Sequence, residues 1–181
     1  MITREKSGTA ANSNIILIGF MGTGKTAVGT ELASRLGRKF IDTDLLVEEK
    51  SGMKVVEIFE KFGEGEFRTR ESEAALALTN YRPGEIVAAT GGGIALQKDN
   101  RDRLAEAGIV VLLTASPRAI LRRIGKGKER PLLKGANPGK RIEALLKERE
   151  TIYCNYDISI NTTGKTVKQV SLEIINRFRQ L

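Results

Sequence analysis

Eight residues, GFMGTGKT from Gly19 to Thr26, stand between the apolar run IILI and the helix-like run AVGTELASRL. Their spacing, G-x-x-x-x-G-K-T, is that of a phosphate-binding loop (P-loop) joining a strand to a helix. Glycines let successive backbone N–H groups face one concavity, Lys25 adds a point charge for outer phosphates, and the Thr26 hydroxyl can ligate Mg²⁺. The helix that begins there turns its positive dipole end toward the anion. The stretch therefore demands a strand whose carboxyl end opens on a ligand.

The rest of the chain supplies more strands of that kind. NIILIGF, KFID, EIVAA, IVVLLT and DISIN are short apolar runs bounded by polar residues or glycine, which reads as buried strands. Helical spacing predicts helices over TAVGTELASRLG, with a stop at Gly37, over LLVEEKSG and KVVEIFEKFG as two short helices each closed by glycine, and over EFRTRESEAALALTNY. Further helices are predicted at KDNRDRLAEAG with a cap at Asp99, at SPRAILRRI with Ser116 as cap and Pro117 at its first position, at KRIEALLKERETIYCNY and at TVKQVSLEIINRFRQL. Five strands separated mainly by helices predict an α/β fold, a five-stranded parallel sheet with helices on both faces. Residues 1–13 read as a disordered polar tail and residues 14–181 as one domain.

Composition narrows the chemistry. The chain has no histidine, so His triads, His metal sites and a His general base are excluded, and proton transfer falls to carboxylate, Lys or Tyr. A lone cysteine, Cys154, rules out an internal disulfide and suits a reducing compartment. The polar start and the lack of a long apolar run predict a cytoplasmic protein with no membrane segment. The net charge is +8, and the segment from Arg118 to Arg141 holds nine Lys or Arg against one acid, Glu129, leaving the remainder balanced. That segment has no Phe, Tyr or Trp to stack on bases, so nucleic acid is not the expected partner. A solvated basic loop is one reading. Beside a P-loop, a mobile basic lid over polyphosphate, about 118–141, is the better one.

Ligands of parallel sheets bind beyond the carboxyl ends of the strands, which singles out Asp42 and Asp44 after the second strand and Gly91, Gly92 and Gly93 after the third. In FIDTD, residues i and i+2 of an extended segment share a side, so two carboxylates are expected to face one cleft. One would hold a hydrated Mg²⁺ and the other an attacking hydroxyl. The competing reading is that either aspartate only caps a helix starting at Leu45. Arg68 reads equally as a surface partner of Glu71 or Glu64, and Arg149 as a partner of neighbouring glutamates. Three glycines after an apolar strand mark either a flexible turn or close approach to a ligand.

Six motifs, GFMGTGKT, D-T-D at Asp42 to Asp44, EFRTRE with Arg68, the triple glycine, RPLL at Arg130 to Leu133 and ERETIY with Arg149, run from Gly19 to Tyr153 in an order and spacing that resemble the shikimate kinases. The resemblance implies a P-loop kinase fold with a mobile lid, related to the nucleoside monophosphate kinases, and transfer of the ATP γ-phosphoryl group to the 3-hydroxyl of shikimate. It assigns the nucleotide to Gly22, Thr23, Gly24, Lys25, Thr26 and Ala27, with Arg123 beside the adenine ring and the loop around Lys165 on its other side. TTGKT departs from the more basic or proline-bearing loops common there. The resemblance gives Mg²⁺ to Thr26 and Asp42, and the shikimate hydroxyls to Asp44. Arg68 and Arg149 take the carboxylate, with Gly91, Gly92 and Gly93 lining the site. Lys25, Asp44 and the lid arginine Arg130 become the catalytic residues, in a monomer.

Two rivals have weaker support. A gluconate-type or nucleoside monophosphate kinase would share the P-loop and lid, but the chain lacks the histidine of the former's acceptor motif and the D-G-F-P-R segment of adenylate-type enzymes. A nucleotide-dependent switch would need N-K-x-D and an apolar strand ending in D-x-x-G, and EIVAATGGG carries Thr90 at that aspartate's place.

Overall fold

Alternation along the strands decides which helices cover which face of the sheet. The computed structural model describes residues 12–125, 137–153 and 155–181. Its strands are β1 (Ile15–Ile18), β2 (Lys39–Asp42), β3 (Ile86–Ala89), β4 (Ile109–Thr114) and β5 (Ile158–Asn161), all parallel in the order β2-β3-β1-β4-β5. The helices are α1 (Lys25–Leu36), α2 (Thr43–Ser51), α3 (Val55–Leu78), α4 (Lys98–Ala107), α5 (Pro117–Ile124), α6 (Pro138–Arg149) and α7 (Val167–Phe178), with a 3-10 turn at Ile94–Leu96. On β1, Ile15 and Leu17 pack with Val28 and Leu32 of α1 and Ile174 and Phe178 of α7. Ile16 and Ile18 turn to the other face, against Ala75 and Leu78 of α3 and Leu104 of α4. The sheet is thus buried on both sides, as a parallel sheet must be. No helix among the described residues is long and apolar enough to cross a membrane.

β1 lies at the centre of the order, with β3 on one side and β4 on the other. A crevice opens at such a reversal beyond the strand ends, and the P-loop sits there. Ser116 caps α5 by accepting the Ala119 N–H at 3.3 Å, with Pro117 following, as its sequence predicts.

Three expectations need correcting. Asp99 does not cap α4; the cap position is Gln97, and Asp99 lies in the first turn, where its charge favours the helix dipole. The expected stop at Gly63 is present: KVVEIFEKFG and EFRTRESEAALALTNY are the two parts of α3, separated at Gly63, whose φ of 79° and ψ of 179° open a non-helical corner. That backbone region is essentially reserved for glycine. α6 ends at Arg149, short of the predicted Tyr156. Finally, the ends of the expected lid are regular: Arg118 to Ile124 belong to α5, and Lys140 and Arg141 to α6. Arg130, within 126–136, and Cys154 lie outside the described residues, as do residues 1–11 of the expected tail.

Candidate active site

The P-loop is built by glycines the chain cannot replace. Gly22 and Gly24 have φ of 77° and 99°, a conformation that costs any L side chain about 1–2 kcal/mol. Gly24 is also the N-cap of α1, so the helix begins at Lys25 itself. The Lys25 side chain is buried and its Nζ donates to the carbonyls of Gly19 at 2.8 Å and Phe20 at 3.1 Å. Thr23 Oγ1 donates to the Phe20 carbonyl at 2.7 Å, closing the loop on itself.

Thr26 Oγ1 donates to Asp42 Oδ2 at 2.9 Å, while Asp42 Oδ1 accepts the Asp44 N–H at 3.0 Å. Asp42 is therefore both a helix cap and a neighbour of the P-loop threonine, so the two roles are not exclusive. The helix begins at Thr43, not Leu45, and this alters how the second carboxylate reaches the cleft. Asp44 lies in the first turn of α2 and not on an extended segment. The carboxylates consequently diverge, Asp42 toward Thr26 and Asp44 toward Gly91. Between them Thr43, fully buried, accepts the Gly91 N–H on its hydroxyl at 2.9 Å, tying the ends of β2 and β3 together.

The triple glycine is explained by space. None of its members has positive φ. A Cβ on Gly91 would lie 2.5 Å from Glu71 Oε1 and 2.6 Å from Asp44 Oδ1, and one on Gly92 would lie 3.2 Å from the Met21 N. One on Gly93 would fall inside the Arg68 guanidinium. The carbonyls of Gly91 and Gly93 accept from Ile94 and Leu96 of the 3-10 turn, and that of Gly92 accepts from Arg149 Nη1 at 2.8 Å and Tyr153 Oη at 2.9 Å. The close approach expected here is thus made first to the protein's own charged groups.

Arg68 pairs with both glutamates considered for it, Glu64 Oε1 at 2.7 Å and Glu71 Oε2 at 2.5 Å, yet it is no surface residue: its side chain is 12% exposed and that of Glu71 is 1% exposed. Burial pushes the Glu71 carboxyl up to about 7, against the opposing pull of Arg68, with Asp44 adding to the rise. Burial lowers Arg68, but the two glutamates more than offset it and its guanidinium is held above the usual range. Arg149 is buried at 5% exposure with its guanidinium 5.2 Å from the centre of the Phe20 ring. These groups line an open cleft together with Met21, Asp44, Gly92, Gly93, Val55, Phe59 and Phe67.

Toward the other flank, Arg123 donates to the carbonyls of Gly22 at 3.1 Å and Thr162 at 2.8 Å and to Thr162 Oγ1 at 2.9 Å, joining the P-loop to the loop after β5. Lys165 Nζ is engaged by Glu173 Oε2 at 2.5 Å. The sequence reading passed over Glu71 as a member of the site, along with Thr43, Met21, Phe59, Phe67 and Tyr153. The clue to Glu71 was its place one turn after Arg68; Met21, Thr43, Phe67 and Tyr153 lie inside the quoted motifs, but nothing in those motifs alone showed what each side chain meets, and Phe59 stands outside them.

A P-loop at the reversal of a five-stranded parallel sheet, beside a cleft of arginines and carboxylates, defines a small-molecule kinase of the P-loop class. The shikimate kinase family model matches residues 21–179. Shikimate kinase of Caldanaerobacter subterraneus subsp. tengcongensis is 47% identical over 93% of this chain and 97% of its own, and that of Geobacter sulfurreducens is 47% identical over 92% and 91%. The solved structure of shikimate kinase from Acinetobacter baumannii in complex with shikimate is similar with a TM-score of 0.88 and 40% identity over 93% of both chains. The chain belongs to the shikimate kinase family, which uses ATP, and is a phosphotransferase of the shikimate pathway.

Proposed function

We propose that this chain transfers the γ-phosphoryl group of ATP to the 3-hydroxyl of shikimate, with the nucleotide on the P-loop and shikimate in the cleft beneath α3. The observation that carries this reading is the pair of buried guanidiniums, Arg68 and Arg149, on the same cleft as the Asp44 carboxylate and beside the P-loop residue Met21. A small hydroxylated carboxylate needs cationic forks at one end and an acceptor for its hydroxyl proton at the other. Val55, Phe59 and Phe67 offer apolar surface to the ring.

Lys25 sits where its ammonium exchanges two loop carbonyls for phosphate oxygens. Thr26 and Asp42 present two hard oxygens on an open rim, which fits Mg²⁺, an ion that keeps water and phosphate in most of its positions. Bound there, Mg²⁺ would neutralise charge on the phosphates. Asp44 accepts a hydrogen bond from the shikimate hydroxyl and takes its proton as the phosphoryl group transfers. Arg123 and the Lys165 loop flank the adenine; the Lys165 side chain is turned to α7, so the contact there belongs to the backbone. Arg130 supplies a further positive charge to the phosphates. All of these residues come from one chain, which we take as the working unit.

The test is a coupled ADP-release assay with shikimate, gluconate and nucleoside monophosphates offered in turn. Turnover confined to shikimate is expected, and turnover with gluconate in its place would overturn the acceptor assignment.

A further inference from the structure

Tyr153 lies beyond the end of α6, yet its backbone N–H still bonds the Arg149 carbonyl at 3.1 Å, so the two side chains are held one turn apart. Both donate to the same atom, the carbonyl oxygen of Gly92. The phenol is a donor at neutral pH, and burial pushes its ionisation further up. Gly92 is in turn packed against the P-loop backbone at Met21, with no room for even a methyl group at ordinary contact distance.

Two donors on one carbonyl matter because one of them has a second task. If Arg149 is to grip a carboxylate in the cleft, part of its guanidinium must be released from the protein, and a buried carbonyl that loses its donor costs about as much as the new bond returns. We infer that Tyr153 is a positioning residue of the acceptor site: its hydroxyl holds the Gly92 carbonyl so that Arg149 is free to turn to the acceptor carboxylate. The same bond fixes the peptide plane between Gly92 and Gly93, whose N–H is antiparallel to that carbonyl across a trans peptide. This inference rests on the acceptor reading above.

The test is Tyr153→Phe, which removes one oxygen atom and keeps the ring. Shikimate affinity, measured by calorimetry without nucleotide, is expected to fall about 5- to 10-fold, the worth of one buried hydrogen bond. KM for shikimate should rise by the same factor while KM for ATP and kcat stay within about twofold, a split that a general loss of stability would not give. In an Arg149→Ala background the same change should cost nothing further, because the groups act in series. Unaltered shikimate affinity in Tyr153→Phe, with a parent that binds shikimate, overturns the Tyr153 assignment alone. A full additive loss in the double variant overturns it too, showing that the phenol acts apart from Arg149. A parent that does not bind shikimate overturns the acceptor reading, and this inference with it.

Discussion

Glu71 shows how one buried side chain organises its neighbours. It is enclosed by Arg68, Asp44, Gly91 and the field of Arg149, and its carboxyl titrates near 7 instead of 4.5. The folded protein therefore holds this proton more tightly than the unfolded chain does. Below about pH 4.5 both states are protonated and the full stability is present; as pH rises toward 7 the unfolded chain ionises first and stability is lost, and above 7 the loss is complete. Glu71→Gln should remove this fall, so urea midpoints of parent and variant, compared from pH 4.5 to 7.5, should converge or cross in the variant's favour as pH increases. Parallel curves would show that Glu71 does not titrate there. Lys25 makes a different residue-scale prediction. In the proposed function its charge serves the phosphates and not the acceptor, so Lys25→Ala should lower turnover about 100-fold or more while calorimetric shikimate binding stays near that of the parent.

At the scale of elements, α3 is two helices sharing one axis of sequence. Its first part carries Val55 and Phe59 over the cleft, its second carries Phe67, Arg68 and Glu71, and Gly63 joins them. Glu48 of α2 anchors the near end, accepting from the Val55 N–H at 3.1 Å and from Lys54 Nζ at 2.7 Å. Alanine at Gly63 meets no neighbouring atom, so its whole cost is backbone strain, roughly 1–3 kcal/mol. The strain is relieved only by straightening the corner, which moves Phe59; Gly63→Ala should therefore lower Tm and raise KM for shikimate together. Gly65→Ala is the control: that residue lies in the helix with φ below zero and open space around it, and should stabilise by about 0.5–1 kcal/mol with KM unchanged. The corner also marks what a sequence can disclose. Gly63 was legible as a helix stop because glycine ends helices, but not that the chain resumes in register, since that depends on Phe59 meeting Phe67 with ring centres 4.7 Å apart. Asp44 was legible as a residue of the cleft but not in its geometry: the Asp42 cap starts the helix at Thr43, so Asp44 lies on a helical turn and not on an extended segment beside Asp42, whose other oxygen is taken by Thr26.

The whole molecule places the cleft of Arg68 and Arg149 on the β2-β3 side of β1 and the Arg123–Thr162 link on the β4-β5 side. Five parallel strands were readable from the apolar runs and the helices between them, but their order in the sheet was not, because it is set by which strands pair across the fold. The link across Thr162 was not, because its bonds to Thr23 at 3.1 Å and Thr114 at 3.0 Å join residues far apart in the chain. Binding at either side stabilises the same cooperative fold. Shikimate at about 100 times its Kd contributes about 2.7 kcal/mol, which for a domain of this size raises Tm by roughly 5–10 °C. Thermal melts should show this with shikimate and not with gluconate, and a shift with gluconate alone would point to a different acceptor.

Part of the cleft of Arg68 and Arg149 is main chain. At Gly91, Gly92 and Gly93 the surface is made of peptide groups, which are chemically the same in every protein, and any added carbon collides with Glu71 and Asp44, Met21 or Arg68. A substitution on that strip has to displace Glu71, Asp44, Met21 or Arg68, whereas Val55, Phe59 and Phe67 line the cleft with side chains that selection or an engineer can exchange. A lineage drifting toward a bulkier or slimmer acceptor would record the change along α3, and the glycine strip would remain as the ruler against which it is measured.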